Sequence, residues 1–392
     1  MIKLVKSSFY NEKQTSRELA DFIVGSTQLS FGPQCEKFET KFSEYQERLE
    51  CVFLNSGSSA NLAIIQAMLN LGYIHKGDKV GFSALTWSTN VMPLIELGLE
   101  AIPIDIELDT LNVSSKMLKK TLTKHDLKMV FLTNLLGWAD DIDVIASLCK
   151  TKHIHLVEDN CESLGTVYQG KKLGNFGLAS TFSFYVGHHM STIEGGAVCT
   201  DDHKLATMIR LVRAHGWDRN LQLKEQENIR KEYMVNSTFY SRYTFYDLGY
   251  NLRPTEMAGF LGNVQLQYLP EIIDKRQSNY KTITRAIFQN NSKYYSLRTD
   301  HLDVFSNFAV PIICKDASIR DELVNKCADM IEIRPVVGGD MTEQPFYKKY
   351  MNQYVDDMQG SNASLVHRQG LYFGNNPELT DKEIEAIINT FK

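Results

Sequence analysis

Between residues 51 and 200 the chain alternates short β-branched and aromatic runs with stretches of helical periodicity. The runs read "CVFLNS", "KVGFSA", "LEAIPIDI", "LKMVFLTN", "IHLVED" and "STFSFY". Between them lie segments such as "SSANLAIIQAMLNLGY", where Leu62, Ile65 and Met68 or Leu69 return at helical spacing. This alternation builds crossover units on a mostly parallel sheet covered by helices on both faces. The fold class it predicts is α/β, and such sheets take ligands at the carboxyl ends of their strands.

The pattern changes after about residue 203. "HKLATMIRLVRAHGW" predicts a helix, "LQLKEQENIRKEY" a polar excursion and "FYSRYTFYDLGYNLRP" an ordered loop. Pro254 suits the opening of a helix over "PTEMAGFLGNVQLQYL", because its fixed φ fits a first turn and its missing donor costs nothing there. A smaller α/β unit follows, with "FSNFAVPII" and "IEIRPVV" as strands and "SIRDELVNKCADM" as a helix. A chain of 392 residues can bury two cores. The expected division is a large domain over 1–250 and a smaller C-terminal one over 251–392.

Composition removes several classes of function. The net charge of -5 is spread out, with no basic block to displace counterions from a nucleic acid. No apolar run reaches the roughly 18 residues a membrane helix needs, and the start "MIKLVKSSFYNEK" lacks a signal-like stretch. The seven cysteines form no close-ligand spacing and read as reduced core residues. The expectation is a cytoplasmic protein with no metal, acting on small molecules.

Three short stretches carry candidate chemistry. In "LNSGSSANLA", residues 54 to 63, a strand runs through Ser-Gly-Ser-Ser into a helix, aiming backbone N–H groups and hydroxyls at one point. That suits a phosphate, although the stretch taken alone reads first as an ordinary helix capped by Ser58. In "HLVEDNCES", residues 155 to 163, an apolar strand delivers Asp159 and Glu162 past its carboxyl end. A carboxylate buried there needs a partner: a protonated heterocyclic nitrogen, a metal or an arginine; the alternative is an exposed strand end followed by a helix cap. The third stretch, "SFYVGHHMSTIEGG", spans residues 183 to 196. The carboxylates of "GWADDID" read as a helix start.

With "GSSA" and "EDNCES" in the same order, the third stretch resembles the DegT/DnrJ/EryC1/StrS family of vitamin B6 enzymes that act on nucleotide-linked sugars. The resemblance extends over nearly the whole chain, through "FGPQCEKFETKFSEY", "TNLLGWADDID", "GYNLRPTEMAGFLGNVQL" and "IEIRP". It implies an aspartate-aminotransferase-like (fold type I) architecture and pyridoxal 5'-phosphate or pyridoxamine 5'-phosphate as cofactor. In that family a lysine stands six residues before the glutamate of the strand, and counting back from Glu194 reaches His188. Imidazole has no primary amine with which to tether the cofactor, but it can still move protons near neutrality. His189 falls at a variable position and reads as supporting.

A histidine there matches the family's C3-dehydratases, which implies removal of the C3 hydroxyl from a nucleotide-linked 4-keto-6-deoxy sugar. GDP is the favoured nucleotide, and L-glutamate would regenerate pyridoxamine phosphate. By resemblance, Ser58, Ser183 and the backbone after Gly57 hold the phosphate and Trp87 stacks on the ring. Asp159 pairs with the ring nitrogen and Glu162 meets the phenolic oxygen. Asn251 reaches the phosphate across the interface of a homodimer with shared sites. His215, Arg219, Arg253 and Arg334 are candidates for the glutamate carboxylates or the sugar diphosphate, each weighed against a surface ion pair. The segment "RAHGWDRNLQLKEQEN" has no cysteine, so no iron–sulfur cluster is expected. Two rivals are an aminotransferase using another lysine, with Lys172 and Lys204 the nearest, and a non-catalytic protein on the same fold.

Overall fold

Each of the six apolar runs forms a strand: β1 (Glu50–Leu54), β2 (Lys79–Ser83), β3 (Glu100–Ile104), β4 (Leu127–Thr133), β5 (His155–Asp159) and β6 (Ala179–Ser183). A seventh, β7 (Gly196–Thr200), completes one sheet in the order β1-β7-β6-β5-β4-β2-β3. Only β7 runs against the rest, pairing antiparallel with β1 and β6. The computed structural model describes residues 1–289 and 291–392.

Both sheet faces are covered, which is why these strands read as continuous apolar runs. Within β4, Val130 and Leu132 enter one core while Met129 and Phe131 enter the other, following the two-residue alternation of a strand. The second core also takes Ala60, Ile64 and Met68 from the helix Gly57–Asn70 and Leu205 and Ile209 from the helix His203–Arg213. The first joins the sheet to the C-terminal part, including Tyr280 and Ile283 of the long helix Leu269–Phe288. There a small antiparallel sheet has β10 (Gly370–Gly374) between β8 (Ala309–Ile313) and β9 (Ile333–Pro335). The strand and helix expectations after residue 300 agree with this arrangement, with "SIRDELVNKCADM" supplying the helix Ala317–Cys327.

Two local readings are corrected. The polar excursion after residue 220 is the helix Leu223–Glu232, held by a capping box between Gln222 and Glu225 although none of its residues is buried. Pro254 does not open the next helix; Thr255 caps Glu256–Gln265 by accepting from the Ala258 N–H, so the proline stands one residue outside. The start of the chain runs beside the smaller sheet, with Ile2 bridged to Ile331. Among the described residues no helix is long and apolar enough to cross a membrane.

Candidate active site

A cleft of about 300 Å³ opens at the carboxyl ends of β5 and β6, where parallel sheets of this kind place ligands. One wall is the start of the helix Gly57–Asn70. Its cap is Ser56, not Ser58: the Ser56 hydroxyl accepts from the Ser59 N–H at 3.0 Å. Ser58 is thereby left exposed at the rim, and the N–H groups of Gly57 and Ser58 lack helix partners, as the first donors of any helix do. The turn is packed from behind by two glycines. A Cβ on Gly196 would lie 2.2 Å from the Ser56 carbonyl oxygen, and one on Gly57 would lie 2.7 Å from the Ser183 Cβ. Bare backbone at both positions brings Ser183 against the helix start.

Asp159 ends β5 and is 4% exposed. Its Oδ2 accepts from Asn90 Nδ2 at 2.6 Å and Asn61 Nδ2 at 3.0 Å, and its Oδ1 accepts from the Cys161 N–H at 2.9 Å. Three neutral donors fix the carboxylate without neutralising it, so a cation in the cleft would complete it. Glu162 lies beside it, also buried, accepting from the Leu136 N–H at 2.9 Å. Burial pushes its pKa up to about 8; the Leu136 hydrogen bond opposes this and the Asp159 charge adds to it. Burial thus favours the protonated form of the Glu162 carboxyl, which can donate.

His188 sits in the loop between β6 and β7, with its ring against Tyr185 and Phe308 at centroid distances of 5.8 and 5.3 Å. Burial lowers its pKa to about 4; Asp159 pulls it up and Arg276 pushes it down. Burial thus favours the neutral imidazole, which keeps an unshared pair on one ring nitrogen. His189 turns away: it is buried, with Nε2 at 3.2 Å from the Ser306 carbonyl oxygen.

The cleft thus brings together Gly57, Ser58, Trp87, Asp159, Glu162, Ser183, His188 and Arg334. Trp87 is 52% exposed, and Arg334 leans on Glu332 at 2.8 Å. The other four candidates lie outside this chain's own cleft, gathered round Trp217. Arg219 stacks over the rings of Trp217 and Tyr243 at 4.3 and 4.4 Å, and Arg253 lies 5.3 Å from Trp217. Arg253 also donates to Asn251 Oδ1 at 3.0 Å, and the His215 ring meets Trp217 edge-on at 4.9 Å. Asn61 and Asn90, which hold Asp159, were missed by sequence reasoning. The available signal was spacing: Asn61 follows Gly57 by one helical turn, and Asn90 closes the short turn after Trp87. Phe308 and Tyr372 are further cleft residues whose long-range placement no local pattern announces.

The DegT/DnrJ/EryC1/StrS aminotransferase family matches residues 11–392 of this sequence. The chain belongs to that family. A similar relative in it is GDP-4-keto-6-deoxy-D-mannose 3-dehydratase of Yersinia pseudotuberculosis, 34% identical over 391 residues, 98% of this chain and 97% of that one. The solved structure of Escherichia coli GDP-4-keto-6-deoxy-D-mannose-3-dehydratase with bound hydrated PLP superposes with a TM-score of 0.87 at 30% identity, over 100% of this chain and 99% of the other. A structure of GDP-4-keto-6-deoxymannose-3-dehydratase with a trapped PLP-glutamate geminal diamine gives the same TM-score and identity over 100% of both chains. The aspartate-aminotransferase-like α/β fold implied by membership of the DegT/DnrJ/EryC1/StrS family is the fold observed.

Proposed function

We propose that this protein is a pyridoxal/pyridoxamine phosphate-dependent 3-dehydratase. It removes the C3 hydroxyl from a GDP-linked 4-keto-6-deoxy sugar, and L-glutamate restores the amine form of the cofactor. The observation that carries this reading is His188, a neutral imidazole on the cleft wall at the position where the family's lysine is expected. Among the described residues that line the cleft there is no lysine. Lys172 is held by Glu47 at the surface and Lys204 begins an outer helix, which leaves the aminotransferase reading without its amine.

The residues present fit the cofactor. Free N–H groups and hydroxyls at Gly57, Ser58 and Ser183 suit a phosphate, a buried and uncompensated carboxylate at Asp159 suits a protonated ring nitrogen, and the neutral Glu162 can donate to a phenolic oxygen. Trp87 supplies a flat half-exposed surface for stacking. When bound, pyridoxamine phosphate supplies a primary amine for the C4 ketone and a ring that accepts an electron pair. His188 takes up the proton at C4′ and delivers one to the departing C3 hydroxyl, acting as base and then acid. Asp159, oriented by Asn61 and Asn90, would pair with the ring nitrogen. Arg334, in the cleft, binds an anionic group of glutamate or the diphosphate.

The site is shared between two chains. Asn251, His215, Arg219 and Arg253 complete the cleft of a partner, on an apolar surface where Phe239, Tyr240, Tyr243, Phe245 and Leu248 are all more than half exposed. Residues 1–250 then form the cofactor-binding domain and 251–392 the smaller one, and the reaction runs on soluble nucleotide sugars in the cytoplasm. Incubation of the purified protein with cofactor, glutamate and a GDP-linked 4-keto-6-deoxy sugar tests the reaction. A 3-deoxy ketone by mass spectrometry is expected; a stable 4-amino sugar with no deoxygenated product would refute it.

A further inference from the structure

Arg276 lies in the long helix Leu269–Phe288 and is only 5% exposed. A buried guanidinium normally has a carboxylate partner, because the desolvated charge is otherwise uncompensated. Arg213, also fully buried, follows that rule by pairing with Glu39. Arg276 does not: among the described residues no carboxylate lies within ion-pair distance of it. It donates instead to three carbonyl oxygens, those of Asn375 at 2.7 Å, His188 at 3.0 Å and Phe308 at 3.2 Å. These come from three places in the chain: the end of β10, the loop after β6 and the residue before β8.

We infer that Arg276 is a positioning residue, a buried cation that grips the backbone carbonyl of His188 from behind and holds its imidazole at the cleft wall. The inference rests on the reading of His188 as the proton carrier. The loop that carries His188 needs such a hold. Its own backbone bonds near the histidine are few, the His188 N–H to the Tyr185 carbonyl and the Val186 N–H to the Ile193 carbonyl, and Ile193 has a φ of 71°. The same guanidinium fastens Phe308, whose ring packs on the His188 ring. One side chain therefore sets both the backbone of the base and the surface its ring rests on.

The charge has a second effect. Around the cleft His188 is faced by Asp159, Glu162, Glu194, Tyr185, Arg334 and Tyr372. Behind it, round a small cavity of about 30 Å³, stand Tyr10, His189, Glu378 and Arg276. Asp159 favours the imidazolium and Arg276 disfavours it. Burial is the main reason the imidazole stays neutral, and the cation at the back adds to it, opposing the pull of the carboxylate at the front.

The test compares Arg276→Gln and Arg276→Lys with the wild type in the full-length protein, using ring-labelled histidine and NMR titration without added cofactor. The His188 signals are assigned by their loss in His188→Asn. In Arg276→Gln the midpoint of the His188 titration should rise by about one pH unit. In Arg276→Lys, which keeps the charge but not the three-way fork, it should stay low while kcat falls about tenfold or more with KM for the sugar little changed. A His188 midpoint unmoved in Arg276→Gln, or an Arg276→Lys kcat within about twofold of wild type, overturns the inference. If Arg276→Gln does not fold, the Arg276→Lys kcat decides alone. Full turnover in His188→Asn would instead sink the proposed role of His188, whatever the arginine variants do.

Discussion

A single exchange, histidine for the lysine expected by resemblance, decides what chemistry this cleft can perform. Imidazole keeps the proton-moving capacity of that position and loses the capacity to form a covalent tether. His188→Asn should bind cofactor and lose dehydration by at least about a thousandfold, measured as 3-deoxy product per unit time. Glu162 carries a second prediction, this time of stability. Its pKa in the folded protein is about 8 against an ordinary 4.5, so folding takes up a proton between those values. The stabilisation is complete below about pH 4.5 and is lost as the pH rises through about 8. Glu162→Gln cannot ionise, so its melting temperature without cofactor should fall less than that of the wild type over this range. Equal pH dependence in the two proteins would contradict it. Asp159 and Glu162 could be placed at the cleft because they follow the end of an apolar strand, and His188 because of its register in the strand pattern the family resemblance supplies. Asn61 and Asn90 could not be, because a donor to a buried carboxylate is recognised only by what it reaches.

Among the elements, the helix start at Gly57 and the strand start at Gly196 form one device. The two meet backbone to backbone, and a methyl group at position 196 would collide with the Ser56 carbonyl. Gly196→Ala should cost about 1–3 kcal/mol of stability and weaken cofactor binding at least as much as it weakens folding. Cofactor titration beside thermal melts would show this; unchanged cofactor affinity would separate the turn from the phosphate site. The sequence announced the "GSSA" turn and the "EGG" strand separately. That they touch follows from β7 pairing antiparallel with β1 at the register Leu54 to Gly196. The helix Leu223–Glu232 escaped for the opposite reason: a helix with no buried face leaves no apolar periodicity to read.

At the scale of the whole molecule the prediction concerns assembly. A dimer with shared sites, as proposed, would account together for the exposed aromatic patch and for the cluster of Asn251, His215, Arg219 and Arg253 outside the chain's own cleft. Sedimentation should give a dimer. Mixing inactive His188→Asn with inactive Asn251→Asp chains should restore about a quarter of wild-type activity through hybrid dimers. A monomer, or mixed chains that stay inactive, would remove Asn251 from the active site. The sequence by itself determined the α/β layering, the Ser-Gly-Ser-Ser turn into a helix and the paired acids at a strand end, because each is written in local periodicity or adjacent residues; the resemblance to the family marked His188 as standing where a lysine is expected. Only the tertiary structure decided which amides hold Asp159, that burial raises the pKa of Glu162, that Phe308 backs the imidazole and that Arg276 grips its carbonyl. Those properties arise from burial and from contacts between segments far apart in the chain, and desolvation has no signature in a linear string.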